Sequence, residues 1–429
     1  MASESQRQTL GDYFTLQRGT TYKSRLLGEP GPVLLGLATI QRNGGFRTDS
    51  LKTYGGDSPD KLLVQPGELY LSLKDVTQSA DLLGAVARLP SDHPPGRLTQ
   101  DTVKLKPIGT DVPLDYLYWL LRTPQYRSYC RAHATGTTNL GLAREDFLAF
   151  PAPEPTQAQR RIVDTLSALD DKLELNRQMN HTLEAMARAI FKAWFVDFEP
   201  VKAKVAGAKS FRGMPQAVFD QLPDRFTDSE LGPVPEGWSC VSIGDWVHVV
   251  GGATPSTKED AYWRDGIHPF CTPKDMSRLE SPVLLDTQRH ITDHGLKKIS
   301  SGQLPAGTVL LSSRAPIGYL AISETSVSVN QGIIAMQCES VSNLYILFWV
   351  EENMDTIKAH AGGSTFAEIS KRNFRPLPAV RPTMDALFAF DSLVRPFYER
   401  VVSNLRESAV LAQVRDGLLP ELLSGNVKV

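Results

Sequence analysis

The sequence is short of the features that mark secreted proteins, membrane proteins and most enzymes. Its four cysteines, Cys130, Cys240, Cys271 and Cys338, are scattered, with no CxxC pair among them. That scatter argues against a zinc site or a disulfide framework and fits a reducing compartment. No apolar run reaches the roughly 18 residues of a membrane span. The start, MASESQRQTLGDYF, lacks the apolar stretch of a signal peptide. A soluble, cytoplasmic protein that meets no membrane is expected. Neither charge is in excess: 46 Lys and Arg against 48 Asp and Glu leave a net charge of −2. Nucleic-acid-binding domains usually carry a basic excess. Any such role here must rest on local patches or on partners.

Catalytic motifs are missing as well. There is no GxxxxGK[ST] phosphate loop, which excludes a P-loop motor. There is no Gly-rich methyl-donor loop and no Asn/Asp-Pro-Pro-aromatic motif; DHPPGR at Asp92–Arg97 reads as a loop. Pro59-Asp60 followed by Glu68-Leu69-Tyr70 resembles a nuclease carboxylate pattern in part, but Tyr70 stands where a lysine is needed. No histidine pair has metal-ligand spacing. No catalytic residue, metal or cofactor is expected in this chain.

What the sequence does have is repetition, the first thing to look for in a chain of 429 residues, long enough for two or three domains. An offset of 227 lays Asp115–Thr156 on Ser342–Thr383 without gaps. Leu117 and Tyr118 fall on Leu344 and Tyr345, and His133-Ala134 on His360-Ala361. Gly136 and Thr138 fall on Gly363 and Thr365, and Phe147, Pro151, Pro155 and Thr156 on Phe374, Pro378, Pro382 and Thr383. Upstream, LGDYFTLQRGTTYKS resembles IGDWVHVVGGATPST, and PGELYLSLK resembles AGTVLLSSR, at slightly different offsets. Drifting offsets mean loop insertions between related modules. Within a module, short β-rich runs such as ELYLSL, TVKLKPI, VLLSS and GIIAMQC alternate with turn residues. A helical segment near 113–133 adds Leu117, Leu120 and Leu121 on one face. Each module is therefore read as α+β.

Each module is followed by a long helical pattern. From 157 to 195, Ile162, Leu166, Leu169, Leu173, Asn176, Asn180, Leu183, Ala187, Ile190 and Trp194 step by fours and threes, a heptad seam. From 384 to 423 the seam is Leu387, Phe390, Val394, Phe397, Val401, Asn404, Ser408, Leu411, Arg415, Leu418 and Leu422. Pro396 should kink or restart this second helix, and Pro420 weakens its end. A helix of ~38 residues spans roughly 57 Å, more than one small domain needs. Two such seams are expected to pack on each other, antiparallel if a pseudo-two-fold relates the modules. Asn176, Asn180 and Asn404 would then fix the register at some cost in stability, unless they face solvent where the seam frays. The expected layout is a first module at 1–155, a spacer helix at 156–196, a linker at 197–236, a second module at 237–382 and a second helix at 383–425.

The module–helix–module–helix order, with KLELNRQMNHTLEAMARAIFKAWFVDFEPVKAK at its centre, PEGW at Pro235–Trp238 and VRDGLLPELLSG at Val414–Gly425, resembles the specificity (S) subunit of Type I restriction-modification systems. The resemblance covers essentially the whole chain. It implies two target recognition domains, each reading half of a split double-stranded DNA site, separated by antiparallel helices that set the unread gap. It also implies two methyltransferase (M) subunits docked along the helices and two restriction (R) subunits completing the complex. S-adenosylmethionine, ATP and Mg would then belong to those partners, and this chain would do no chemistry. Half-sites on one face of B-DNA lie about 34–36 Å apart, within reach of such helices.

The expected base-reading residues are polar loop positions that match between modules. Lys74 aligns with Arg314, each just past a strand, and Gln41 aligns with Lys274. Arg and Lys bind guanine edges and Gln and Asn bind adenine, so Gln41, Arg42, Asn43, Lys74, Lys274, Asp275 and Arg314 are the candidates. The plainer reading is that they are ordinary surface loop residues. The repeated His-Ala-x-Gly-[Thr/Ser]-Thr turns could hold phosphate, but are read as shaping the chain, with His133 and His360 as packing or capping residues. Two other readings stay open: a coiled-coil adaptor that binds protein rather than DNA, and a stand-alone DNA-modifying enzyme.

Overall fold

A computed structural model describes residues 8–48, 51–137, 139–362 and 367–424. The chain divides into two compact units, Met1–Glu174 with Ala409–Val429, and Leu175–Ser408. Both mix helices and sheets.

The first unit is built on four antiparallel strands: β1 (Phe14–Arg18), β2 (Leu69–Ser72), β3 (Val86–Arg88) and β4 (Thr102–Pro107). Their spatial order is β1-β4-β2-β3. The second unit has β5 (His248–Gly251), β6 (Val309–Ser313), β7 (Ile317–Ser323) and β8 (Ile333–Gln337) in the order β5-β8-β6-β7. Val283–Leu284 adds one parallel strand at its outer edge. The central register is the same in both: Ser72 faces Thr102, and Ser312 faces Ile333. Each unit also carries a small three-stranded sheet with one parallel pair, Val33–Leu35 on Gly96–Leu98 and His268–Cys271 on Ser328–Val329. Helices Leu114–Leu120, Pro124–Ala132 and Arg144–Leu148 of the first unit recur as Asn343–Glu352, Met354–Ala359 and Lys371–Phe374. The repetition in sequence is thus a repetition of fold.

The strand sequences explain their position. Every residue of β2 (LYLS) and of β6 (VLLSS) is buried, so these strands read as apolar runs rather than alternating ones. Leu71, Val103, Trp119 and Leu120 join one core, and Val309, Leu311, Tyr345 and Phe348 the other. Each such side chain contributes ~1.5–3 kcal/mol on burial.

Helices α1 (Gln157–Phe191) and α2 (Met384–Leu418) contribute to both units, and in each they pair antiparallel. In the first unit Gln159 donates to the Leu422 carbonyl (2.9 Å) and Arg415 to Asp170 (2.9 Å). In the second, Asn404 donates to Asn180 (2.8 Å), Asn176 to Ser408 (3.2 Å), and Leu183 packs with Val401 and Val402.

Two local features differ from the sequence expectation, and a third adds to it. The run to 195 does not end as α-helix: Lys192–Val196 forms a π turn that buries Trp194 and Phe195. A wider turn lets adjacent aromatics share one side, and both pack near Phe390. Pro396 does not restart α2, which runs through it unbroken. Pro396 and Ser392, four residues earlier, are both exposed, so the carbonyl left without its helical donor faces water. Pro420 does act as expected, separating α2 from a last turn, Glu421–Ser424. Finally, 197–236 is folded. It holds helices Glu199–Val205 and Gln216–Gln221 and a hairpin of Phe226–Ser229 with Gly232–Pro235, and it adds Val201, Phe219 and Leu222 to the second core. Its Pro, Gly and charge content masked the spaced apolar residues that anchor it. Among the described residues, no helix is long and apolar enough to cross a membrane.

Candidate nucleic-acid interface

Lys74 follows the central strand of the first unit, and its position is fixed from two sides. The buried Ser72 hydroxyl donates to the Lys74 carbonyl (2.5 Å) and accepts its N–H (3.0 Å). Beyond it, the backbone of Lys74 pairs with Gly141. In the second unit Ser312, also fully buried, donates to the Pro316 carbonyl (2.8 Å) and accepts from Tyr319 (2.8 Å). Arg314 pairs with Glu368, the counterpart of Gly141 at the offset of 227. Each cation is therefore held at the same strand end by the same returning segment. Each also meets a carboxylate: Lys74 Nζ lies 3.1 Å from Asp101, and Arg314 3.6 Å from Glu368. The serines were missed in the sequence reading, although both stand two residues before the aligned cation.

Gln41, Arg42 and Asn43 form one exposed turn. Asn43 sits at φ 63°, a backbone region Asn tolerates, and its N–H donates to the Asp81 carbonyl (2.8 Å). The turn borders a depression of about 410 Å³ that is also lined by Arg122, Arg127, Arg131 and Arg415. Two of these arginines are buried and already engaged. Arg127 donates to the carbonyls of Leu83 and Ala80 (2.7 and 2.9 Å), and Arg122 to Asp170 (2.7 Å). Arg131 is exposed. Lys74 is not among the residues lining this depression.

In the second unit, Lys274 and Asp275 lie on the short helix Pro273–Met276. A Cβ placed on Gly332 would lie 3.2 Å from Pro273 and 3.4 Å from Arg314, so this helix and Arg314 are neighbours. Lys274 is exposed. The Asp275 carboxylate is occupied: it accepts from the Thr272 N–H (2.9 Å) and hydroxyl (2.6 Å), and from the Gln288 N–H (2.9 Å). Thr-Pro-Lys-Asp is a capping box, a signal readable in sequence.

The seam asparagines are buried rather than solvated. Asn176 is 0%, Asn180 4% and Asn404 1% exposed. Asn176 Nδ2 also donates to Glu407 (2.8 Å), while Oδ1 of Asn176 and of Asn404 is buried without a partner among the described residues. The paired histidines hold helix ends. His133 Nδ1 lies 2.9 Å from the Tyr129 carbonyl and His360 Nδ1 2.9 Å from that of Thr356, and His133 stacks on Tyr129. Thr138, Gly363 and Thr365 of the repeated turns lie outside the described residues. Burial pushes the Cys338 thiol up to about 12 and raises those of Cys130 and Cys271, away from reactive thiolate chemistry. Among the described residues, no group of three His, Cys, Asp or Glu could hold a metal.

Comparison with known proteins places this arrangement. Residues 235–380 match the family described as Type I restriction modification DNA specificity domain. The chain is 27% identical over 368 residues to the Type I restriction enzyme HindI specificity subunit of Haemophilus influenzae, covering 75% of this chain and 79% of that one. It is 32% identical over 192 residues to the MjaIX specificity subunit of Methanocaldococcus jannaschii, 44% of either chain. Its fold matches the crystal structure of a Type I restriction-modification S subunit from M. genitalium with a TM-score of 0.57 at 14% identity, covering 97% of this chain and 95% of that one. The chain is thus similar to Type I specificity subunits over three quarters of its length, and its second module matches their DNA specificity domain.

Proposed function

We propose that this chain reads the DNA sequence for a Type I restriction-modification complex in the cytoplasm. Each module contacts one half of a bipartite double-stranded site, and α1 with α2 sets the spacer between the halves. Two M subunits dock along the helices and two R subunits complete the assembly, bringing S-adenosylmethionine, ATP and Mg. The domain layout is the one read from the sequence, with modules at 1–155 and 237–382.

The observation that carries this reading is the duplicated cation. Lys74 and Arg314 occupy equivalent strand ends in two copies of one fold. A chain that presents the same kind of group twice, with different loops around it, suits a target in two unlike halves. Gln41, Arg42, Asn43, Lys74, Lys274 and Arg314 supply groove contacts. Asp275 serves by fixing the turn that presents Lys274. Asn176, Asn180 and Asn404 hold the helices in register.

Fluorescence anisotropy with the chain assembled with its M subunits tests this. Binding should depend on sequence and weaken with salt. Equal affinity for all duplexes, or none, would favour the protein-adaptor reading.

A further inference from the structure

The ion pairs of Lys74 and Arg314 hold a pattern that the sequence alignment hides. Strand register makes Ser72 equivalent to Ser312 and Thr102 to Ile333. One residue earlier, Asp101 is therefore equivalent to Gly332. On the other flank, Gly141 is equivalent to Glu368. Two positions thus border the cation in each module, and each module fills one with an acid and the other with glycine. The choice is reversed between the copies. Inherited coincidence would have put the acid on the same flank in both.

These pairs are too exposed to matter much for folding. The side chains are 48% and 28% exposed for Lys74 and Asp101, and 37% and 45% for Arg314 and Glu368. Such surface pairs contribute little to stability. What a carboxylate at 3–4 Å does change is how the cation meets a polyanion. An unpaired cation gains affinity for any duplex by displacing counterions from phosphate, whatever the sequence. A cation already neutralised gains little from phosphate alone. It then depends on base contacts that only the right sequence provides. The chain's net charge of −2 fits the same economy of free positive charge.

We propose that Asp101 and Glu368 are specificity-determining residues that mask Lys74 and Arg314 against non-cognate DNA. This rests on the reading of those two cations as DNA contacts. It adds that each module carries one masking carboxylate, which can stand on either flank.

The test uses the chain assembled with its M subunits and measures anisotropy on cognate and scrambled duplexes across a salt series. Asp101→Asn and Glu368→Gln keep size and shape. Each should tighten scrambled-duplex binding about two- to fivefold, the range expected for releasing one surface ion pair. Each should also steepen the salt slope by roughly 0.9, one extra phosphate. Moving the acid to the other flank, in Asp101→Asn/Gly141→Glu, should restore the original weak non-cognate binding. Gly141 has room, since an added Cβ meets nothing closer than 3.6 Å. Unchanged scrambled-duplex binding in both single variants would overturn the masking role, as would a rise that the double variant fails to reverse. Lys74→Ala and Arg314→Ala separate the two layers. If they alter DNA binding while the acid variants do not, only masking fails. If they alter nothing, the DNA-contact reading of both cations fails with it.

Discussion

Asn404 and Asn180 are buried in the helix seam, where Asn404 Nδ2 donates to Asn180 Oδ1 (2.8 Å). Truncating one side of a buried pair leaves the other desolvated. Asn404→Ala should therefore cost ~1–3 kcal/mol, read by urea denaturation. Replacing both by leucine removes the polar groups together and should be neutral or stabilising, while weakening the preference for a single register. Glu184 is the other strained group. Burial raises its carboxyl above the ordinary value of 4.5, against the weaker pull of Ser281 and Arg188, and Oε1 has no partner among the described residues. The folded state thus prefers the protonated acid. Its contribution to stability is fully present below about 4.5 and is lost as pH rises through the raised folded value. Glu184→Gln should raise the melting temperature by roughly 1–4 °C at pH 8 and by much less at pH 4. An equal gain at both would mean that charge burial is not the cause. Much at this scale was legible in sequence. The asparagines stand on a heptad seam, so periodicity alone places them. Asp101 and Glu368 were not legible, because strand register, not spacing, brings residues 74 and 101 or 314 and 368 together.

The long helices were the clearest elements in the sequence because their signal repeats for some ten turns. Their departures come from effects outside that pattern. The π turn at Lys192–Val196 follows from packing two adjacent aromatics inward. The tolerance of Pro396 follows from its exposed face, which a seam count does not weigh. The stretch from 197 to 236 is folded because three spaced apolar residues anchor it despite its composition. The helices also yield a direct test of the ruler role. Four residues inserted within α1 add roughly 6 Å, or about one turn. The unread spacer should change by about one or two base pairs, with both half-sites intact, as mapped by methylation sequencing. An unchanged spacer would contradict the ruler role.

Across the whole molecule, two modules share strand order, central register and helix placement, yet differ in loops and in the flank that carries the acid. Sequence identity between the copies is confined mostly to 115–156 and 342–383, where helices and the return to the sheet constrain the chain. The loops between the strands drift because surface connections tolerate insertions that a paired sheet does not. Those loops are where the bases of a target would be chosen, so the architecture could be read from sequence while the recognised bases could not. Two halves that fold alike and contact DNA separately should also be exchangeable separately. The most direct measurement replaces residues 1–155 with the first module of a Type I specificity subunit and maps adenine methylation genome-wide by single-molecule sequencing. One half of the split motif should change, with the other half retained. A change in both halves, or a motif that is not split at all, would contradict the reading of this chain as two independent readers.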